Sequence, residues 1–151
     1  MRRFGILLIA AMIGLVLAGC SQDEKMIGYA GSIEKTTLNN SYFRQVLFTG
    51  KHTQLVVMSL QPGEEIGREM HQDVDQFFRI EKGNAKFIIG DKREYLATDG
   101  DAVLIPAGTY HNVINMSAAK PLNLYSIYSP PIHPEGTLHK TKAEAESAEH
   151  H

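Results

Sequence analysis

The chain has no tryptophan and only one cysteine, Cys20, among its 151 residues. A single thiol excludes an internal disulfide and a zinc finger or ribbon. Excess charge is also scarce, with a formal net charge of −2. That leaves no broad basic face for a nucleic acid, so no nucleic-acid partner is expected. Charge is missing altogether between Phe4 and Gly19, while Arg2 and Arg3 stand just before. Over the whole chain the composition is ordinary, with 43% apolar and 21% charged residues, which excludes a low-complexity, collagen-like or wholly disordered chain. The length allows one domain and an appendage.

The uncharged N-terminal stretch reads as an export signal. Arg2 and Arg3 form a positive start, and Ile6 to Ala18 is an apolar run too short to span a bilayer comfortably as a permanent helix. It ends in Leu17-Ala18-Gly19-Cys20, which resembles the bacterial lipobox. The resemblance implies lipidation of Cys20, cleavage just before it and membrane attachment through the lipid. Ser21, rather than Asp, follows the cysteine. By similarity to Gram-negative lipoproteins this implies the outer membrane, facing the periplasm. The alternative is a plain N-terminal anchor with an incidental cysteine. Residues 1–19 are thus expected to be a signal peptide, 20–31 a polar tether and 32–149 a single domain. The mature chain would carry a net charge of −4.

The body of the domain reads as strands. Tyr42 to Thr49 alternates, Thr53 to Leu60 is an apolar run, and Gly50-Lys51-His52 makes the turn between them. Further strands are expected over Gln76 to Ile80, Ala85 to Ile89, Arg93 to Ala97, Ala102 to Ile105, His111 to Asn115 and Leu122 to Tyr128. Short strands at this spacing predict an all-β antiparallel sandwich or barrel. Two short helices flank it: one after Ser32 as N-cap, and one after Thr141-Lys142-Ala143-Glu144, which fits a capping box. His150 and His151 read as a frayed end.

Two stretches carry the chemistry. The first is Gly63-(5)-Glu69-Met70-His71-(4)-Gln76-(6)-Gly83, and the second is Gly100-(5)-Pro106-Ala107-Gly108-(2)-His111-(3)-Asn115. Together they resemble the two motifs of the cupin superfamily, and the second matches at every specified position. Chance agreement at its Gly, Pro and Gly alone is about 2 in 10,000 per starting point. The resemblance runs from about Tyr42 to Pro130 and implies a double-stranded β-helix, or jelly roll. Tyr128-Ser129-Pro130-Pro131 and His133-Pro134-Glu135-Gly136-Thr137 also resemble the small stand-alone cupins labelled mannose-6-phosphate-isomerase-like, a label of fold rather than reaction.

By that resemblance Glu69, His71, Gln76 and His111 are the metal ligands. The chain departs from the family pattern twice: Glu69 replaces the first motif histidine, and Gln76 replaces the usual glutamate. The carboxylate has moved, yet around a divalent ion the site charge stays at +1. Glu69, His71 and His111 alone form a two-histidine, one-carboxylate set suited to iron, and mixed oxygen and imidazole donors also suit manganese, nickel or zinc. One divalent ion is the expected cofactor. The alternative is a metal-free, hydrogen-bonded polar cluster.

Phe78 and Ile80 share strand parity with Gln76 and are expected to line the cavity, with Tyr110 as a further substrate contact. Phe77 and Arg79 point the other way. Tyr110, Glu65 and Asp73 are the nearby acid–base candidates. His52, His133 and His139 read as loop residues. Three functions remain open: a metal-dependent enzyme acting on a small oxygenated molecule (an oxygenase, isomerase or lyase), a non-catalytic module that captures a small ligand or metal, and, least favoured because two preserved motifs exceed what a barrel alone requires, a structural or interaction protein of the envelope. A homodimer paired through its sheets, with Phe77 at the contact, is expected from the resemblance.

Overall fold

The structure, a computed structural model, describes residues 27–149. The expected signal peptide, Cys20, residues 20–26 of the expected tether and the terminal His150-His151 lie outside the described residues.

The alternating segments fold into two antiparallel sheets. β1 (Arg44–Thr49), β2 (Gln54–Leu60), β3 (Asp75–Lys82), β6 (Ala102–Ile105), β8 (Leu122–Ser129) and β9 (Leu138–His139) form one sheet in the order β6-β3-β8-β2-β1-β9. β4 (Ala85–Ile89), β5 (Arg93–Ala97) and β7 (His111–Asn115) form the other, in the order β5-β4-β7. The expected jelly roll is therefore the observed fold. Eight strands fall where periodicity and turn residues place them. β9 was not expected, because two residues carry no period of their own; its pairing with β1 creates it.

Strand parity determines which side chains meet. On β3, Gln76, Phe78 and Ile80 face inward and are almost wholly buried, while Phe77 and Arg79 on the outer face are only partly covered. Val56, Met58 and Leu60 of β2, Phe87 of β4, Val113 of β7 and Leu122, Leu124 and Tyr128 of β8 complete the core between the sheets. Phe78 and Phe87 meet edge to face across it, with ring centres 5.4 Å apart.

Both helices form where their caps predict. The Ser32 hydroxyl accepts the Lys35 N–H and starts α1 (Ile33–Asn39). This helix covers one end of the outer face of the larger sheet, where Asn123 of β8 donates to the carbonyls of Thr37 and Asn40. At α2 (Lys142–Glu149) Thr141 caps the Glu144 N–H, while the Glu144 carboxylate reaches one residue further back, to the Lys140 N–H. None of the helices among the described residues is long and apolar enough to cross a membrane.

The asparagine that closes the second motif acts as a clamp. Buried Asn115 donates its amide to the carbonyls of Leu60, Gln61 and Lys120 and accepts the Ser117 N–H. It thereby ties the end of β7 to the end of β2 and to the loop before β8. Asn115→Ala should strand these buried groups and destabilise the fold by about 2–3 kcal/mol, read by urea unfolding. A change below about 0.5 kcal/mol would reject the clamp.

Candidate metal centre

The segment between β2 and β3 carries half of the candidate ligands. It is not a continuous strand. It touches β7 at two bridges, Glu65 with Ile114 and Glu69 with His111. Four steps along this segment span three steps along β7, so one residue is surplus. Gly67 absorbs it in a bulge at φ +109°, where its N–H donates to the Asn112 side chain. Glu69 and His111 then exchange both backbone hydrogen bonds, each 2.9 Å long, and so stand directly opposite one another.

His71 is placed by the second motif. Its carbonyl accepts the N–H of Gly108, which sits at φ +71° in the Pro106–Thr109 turn. The turn is closed by Thr109 N–H donating to Pro106 and is pinned by Ala107 N–H donating to Asp75. Glu69 and His71 thus converge as expected, but through one bridge and one turn contact rather than through a shared strand.

Four donor atoms meet inside the barrel. His111 Nε2 lies 3.2 Å from Glu69 Oε1 and 2.9 Å from Gln76 Oε1, and His71 Nε2 lies 3.5 Å from Glu69 Oε1. The Ser126 hydroxyl holds the Gln76 amide nitrogen, turning its oxygen toward His111. His111 is 2% exposed, and the side chains of His71 and Glu69 about a fifth exposed, so the cluster is shielded yet reachable.

This set fits a divalent cation. The Thr109 carbonyl, which can only accept, lies 3.0 Å from His111 Nδ1 and keeps the proton there. In the neutral ring the Nε2 lone pair then faces two oxygens, an arrangement that a cation at their centre resolves. His71 Nε2 is buried, misaligned for a hydrogen bond to Glu69 and without another partner. Bonds of about 2.1 Å give neighbouring ligands a separation of about 3.0 Å in an octahedron and about 3.3 Å in a tetrahedron. The observed 2.9, 3.2 and 3.5 Å span both. Glu69, His71 and His111 are the residues among those described that group closely enough to hold an ion.

The other sequence-derived residues separate. Phe78 lies against the site, its ring 5.9 Å from that of His111. Ile80 is deeper, in the apolar core. Tyr110 is 41% exposed at the surface, with the Arg68 guanidinium 3.7 Å above its ring. Glu65 pairs with Asn112 on the outer face of the smaller sheet, and Asp73 is exposed in a turn. A cavity of about 240 Å³ under Arg68 is bounded by Ile88, Asp91 and Asn112 and reaches His111, but Glu69, His71 and Gln76 do not line it.

Sequence reasoning missed two residues. His133 lies in a loop as expected and His139 in β9, yet each has a buried ring nitrogen. Neither shows a period, and the resemblance of the His133–Thr137 stretch to small cupins assigns these histidines no role. The signal lay only in the β9 pairing that draws the tail onto the barrel.

Residues 56–128 match the cupin domain family, and they enclose all four candidate ligands. The chain belongs to the cupin family. This cupin is 50% identical over 123 residues to YrkC of Bacillus subtilis, a match covering 78% of the chain and 66% of that protein. A protein of Acanthamoeba polyphaga mimivirus is 46% identical over 112 residues, covering 73% of this chain and 70% of its own. The chain thus spans just under two thirds of the Bacillus subtilis relative. Among solved structures, BH2720 from Bacillus halodurans superposes with a TM-score of 0.76 and 46% identity, covering 79% of this cupin and 93% of that chain. The cupin domain of Schizosaccharomyces pombe Cnp3 shares the fold alone, with a TM-score of 0.55 at 16% identity.

Electrostatics of the cluster lead to a pH dependence. Burial alone would raise the Glu69 carboxyl, but the His111 and His71 rings beside it outweigh burial and hold it near 2, against an ordinary 4.5. The folded value is the lower one, so the ionised carboxylate stabilises the fold above about pH 4.5. That contribution fades as pH falls toward 2. The drop is worth about 3 kcal/mol at 1.36 kcal/mol per pH unit. In chelator-treated protein, the stability gap between wild type and Glu69→Gln should shrink from this size to near zero between pH 4.5 and 2. A gap independent of pH across that window, followed by denaturant titration, would contradict it.

Proposed function

We propose that this cupin binds one divalent metal ion through Glu69, His71, His111 and the Gln76 amide, and acts there on a small oxygenated molecule. The observation that carries the reading is the convergence of a carboxylate oxygen, an amide oxygen and two imidazole nitrogens inside the barrel. A bound ion would supply Lewis acidity to a substrate oxygen. The protein's own part is to hold the donors. Thr109 orients His111, Ser126 orients Gln76, and Phe78 walls the site with an apolar ring. Oxygenase, isomerase and lyase chemistry all suit such a site.

A second reading is favoured by the positions of Tyr110, Glu65 and Asp73. All three acid–base candidates lie away from the cluster, leaving proton transfer inside the barrel to Glu69 and the histidines. A module that captures a small ligand or metal without turnover needs no more than that. Elemental analysis followed by a substrate screen separates the two: occupancy with turnover supports the enzyme, and occupancy without turnover the capture module.

The ligand ranking follows from charge. His71→Ala or His111→Ala should remove most bound metal. Glu69→Ala should weaken binding strongly, because it raises the site charge from +1 to +2. Gln76→Ala should cost least, and Gln76→Glu should tighten binding by adding a second carboxylate. Elemental analysis and melts with and without chelator report each. A wild type with no metal, and with the same melting temperature with or without added Fe²⁺, Mn²⁺, Ni²⁺ or Zn²⁺, ends the metal reading.

We also propose an envelope lipoprotein, anchored through Cys20 in the outer membrane facing the periplasm, that works as a homodimer. The lipobox-like Leu17-Ala18-Gly19-Cys20 supports the anchor. Pairing is supported by one register rank on the outer face of the larger sheet, where β1, β2, β8, β3 and β6 contribute Phe48, Leu55, Ile127, Phe77 and Leu104. Leu104 is 64% exposed. Palmitate labelling should be lost in Cys20→Ala, and a Phe77→Glu/Leu104→Glu variant should shift the light-scattering mass from dimer to monomer. Labelling that persists rejects the anchor, and a monomeric wild type at micromolar concentration rejects the dimer.

A further inference from the structure

The chain beyond β8 returns to the first two strands and is fastened there. The buried Gln54 amide clamps His133 from both sides, accepting its N–H at 3.1 Å and donating to its carbonyl at 2.7 Å. Thr137 and Lys140 accept the N–H groups of Val46 and Phe43, and β9 sets His139 opposite Arg44 on β1. Two imidazoles are thereby held against the barrel by a segment with little periodic structure.

Their placement relates to the metal centre. The His133 ring stands edge-on to Tyr128, with centres 5.0 Å apart and planes at 85°. Tyr128 makes a similar contact with His71, at 5.8 Å and 69°. The His71 and His133 rings are therefore no more than about 11 Å apart, with one phenol between them.

Neither outer imidazole is fully satisfied. His133 Nε2 and His139 Nδ1 are buried and have no hydrogen-bond partner. Buried polar atoms are overwhelmingly paired, so two such nitrogens in a well-fastened segment indicate an outside partner. The charge around them selects its kind. Burial and then the Arg44 charge hold His133 near 3, so its ring is neutral at pH 7 and can donate a hydrogen bond. Of the permanent charges acting on it, the Arg44 guanidinium acts more strongly than the Glu69 carboxylate. Such surroundings favour an anionic oxygen group over an amine.

We propose that His133 and His139 form an oxygen-binding subsite beside the metal centre, receiving the carboxylate of a small hydroxy- or oxo-carboxylate whose other oxygen faces the Glu69–His71–Gln76–His111 cluster. This rests on the metal reading for the far end of the molecule, but not for the carboxylate end. The hydroxy-acid probe is glycolate, with ethylene glycol as the control that lacks a carboxylate. Titration calorimetry on the full chain should show glycolate binding that weakens at least tenfold in His133→Ala and in His139→Ala, less in His133→Gln, with metal content unchanged. Ethylene glycol should bind more weakly than glycolate to the wild type and equally to all forms. Equal glycolate affinity in wild type and variants, equal binding of the two probes, or metal loss in His133→Ala would each overturn the subsite. If the wild type holds no metal, the subsite is read separately from the histidine ring resonances of the unsubstituted protein. A shift of the His133 ring signals on glycolate addition supports it, and unmoved signals overturn it.

Discussion

The pair of backbone hydrogen bonds between Glu69 and His111 is the contact on which the site depends. It joins two stretches that lie 42 residues apart in the chain. Because both bonds are exchanged, the two residues sit opposite one another and their side chains emerge on the same side. Everything else about the cluster is arranged around that alignment. The bulge at Gly67 supplies the extra residue that brings Glu69 into register, and the Pro106–Thr109 turn delivers both His111 and the contact that holds His71.

The arrangement also has a cost that the surroundings offset. A carboxylate, an amide oxygen and imidazole nitrogens drawn out of water within about 3.5 Å of one another repel unless a positive charge or a proton stands between them. The barrel holds them there through bonds made elsewhere: Thr109 to His111, Ser126 to Gln76, and the Asn115 clamp below. The apolar packing of Phe78 and Phe87 keeps the sheets at a fixed spacing. The donors are thus pre-positioned before any ion arrives, which lowers the reorganisation that binding requires. The depressed Glu69 carboxyl is the electrostatic sign of the same convergence.

Much of the fold was legible because its signals are local. Alternation on β3 fixed which of Gln76, Phe77, Phe78 and Arg79 turn inward, and turn residues bounded the eight longer strands. The site was legible for a different reason. The motif spacings resemble those of cupins at nearly every position, and the two substituted ligands still occupy the motif's places. What failed was inference from proximity in sequence. Tyr110 adjoins His111 but, by strand alternation, lies on the far side of the sheet from the cluster, where Arg68 covers it. Glu65, in the first motif, likewise points outward to Asn112.

The sequence by itself determined the strand pattern, the turn positions, the helix caps and the identity of the four converging donors, because each depends on residues within a few positions or on motif spacing. Only the tertiary structure decided how Glu69 and His71 converge, since a bridge across β7 and a turn contact from Gly108 replace the shared strand. It alone brought His133 and His139 onto the barrel. Their positions rest on the Gln54 clamp and on β9 pairing with β1, and partners 79 residues apart leave no local period to read.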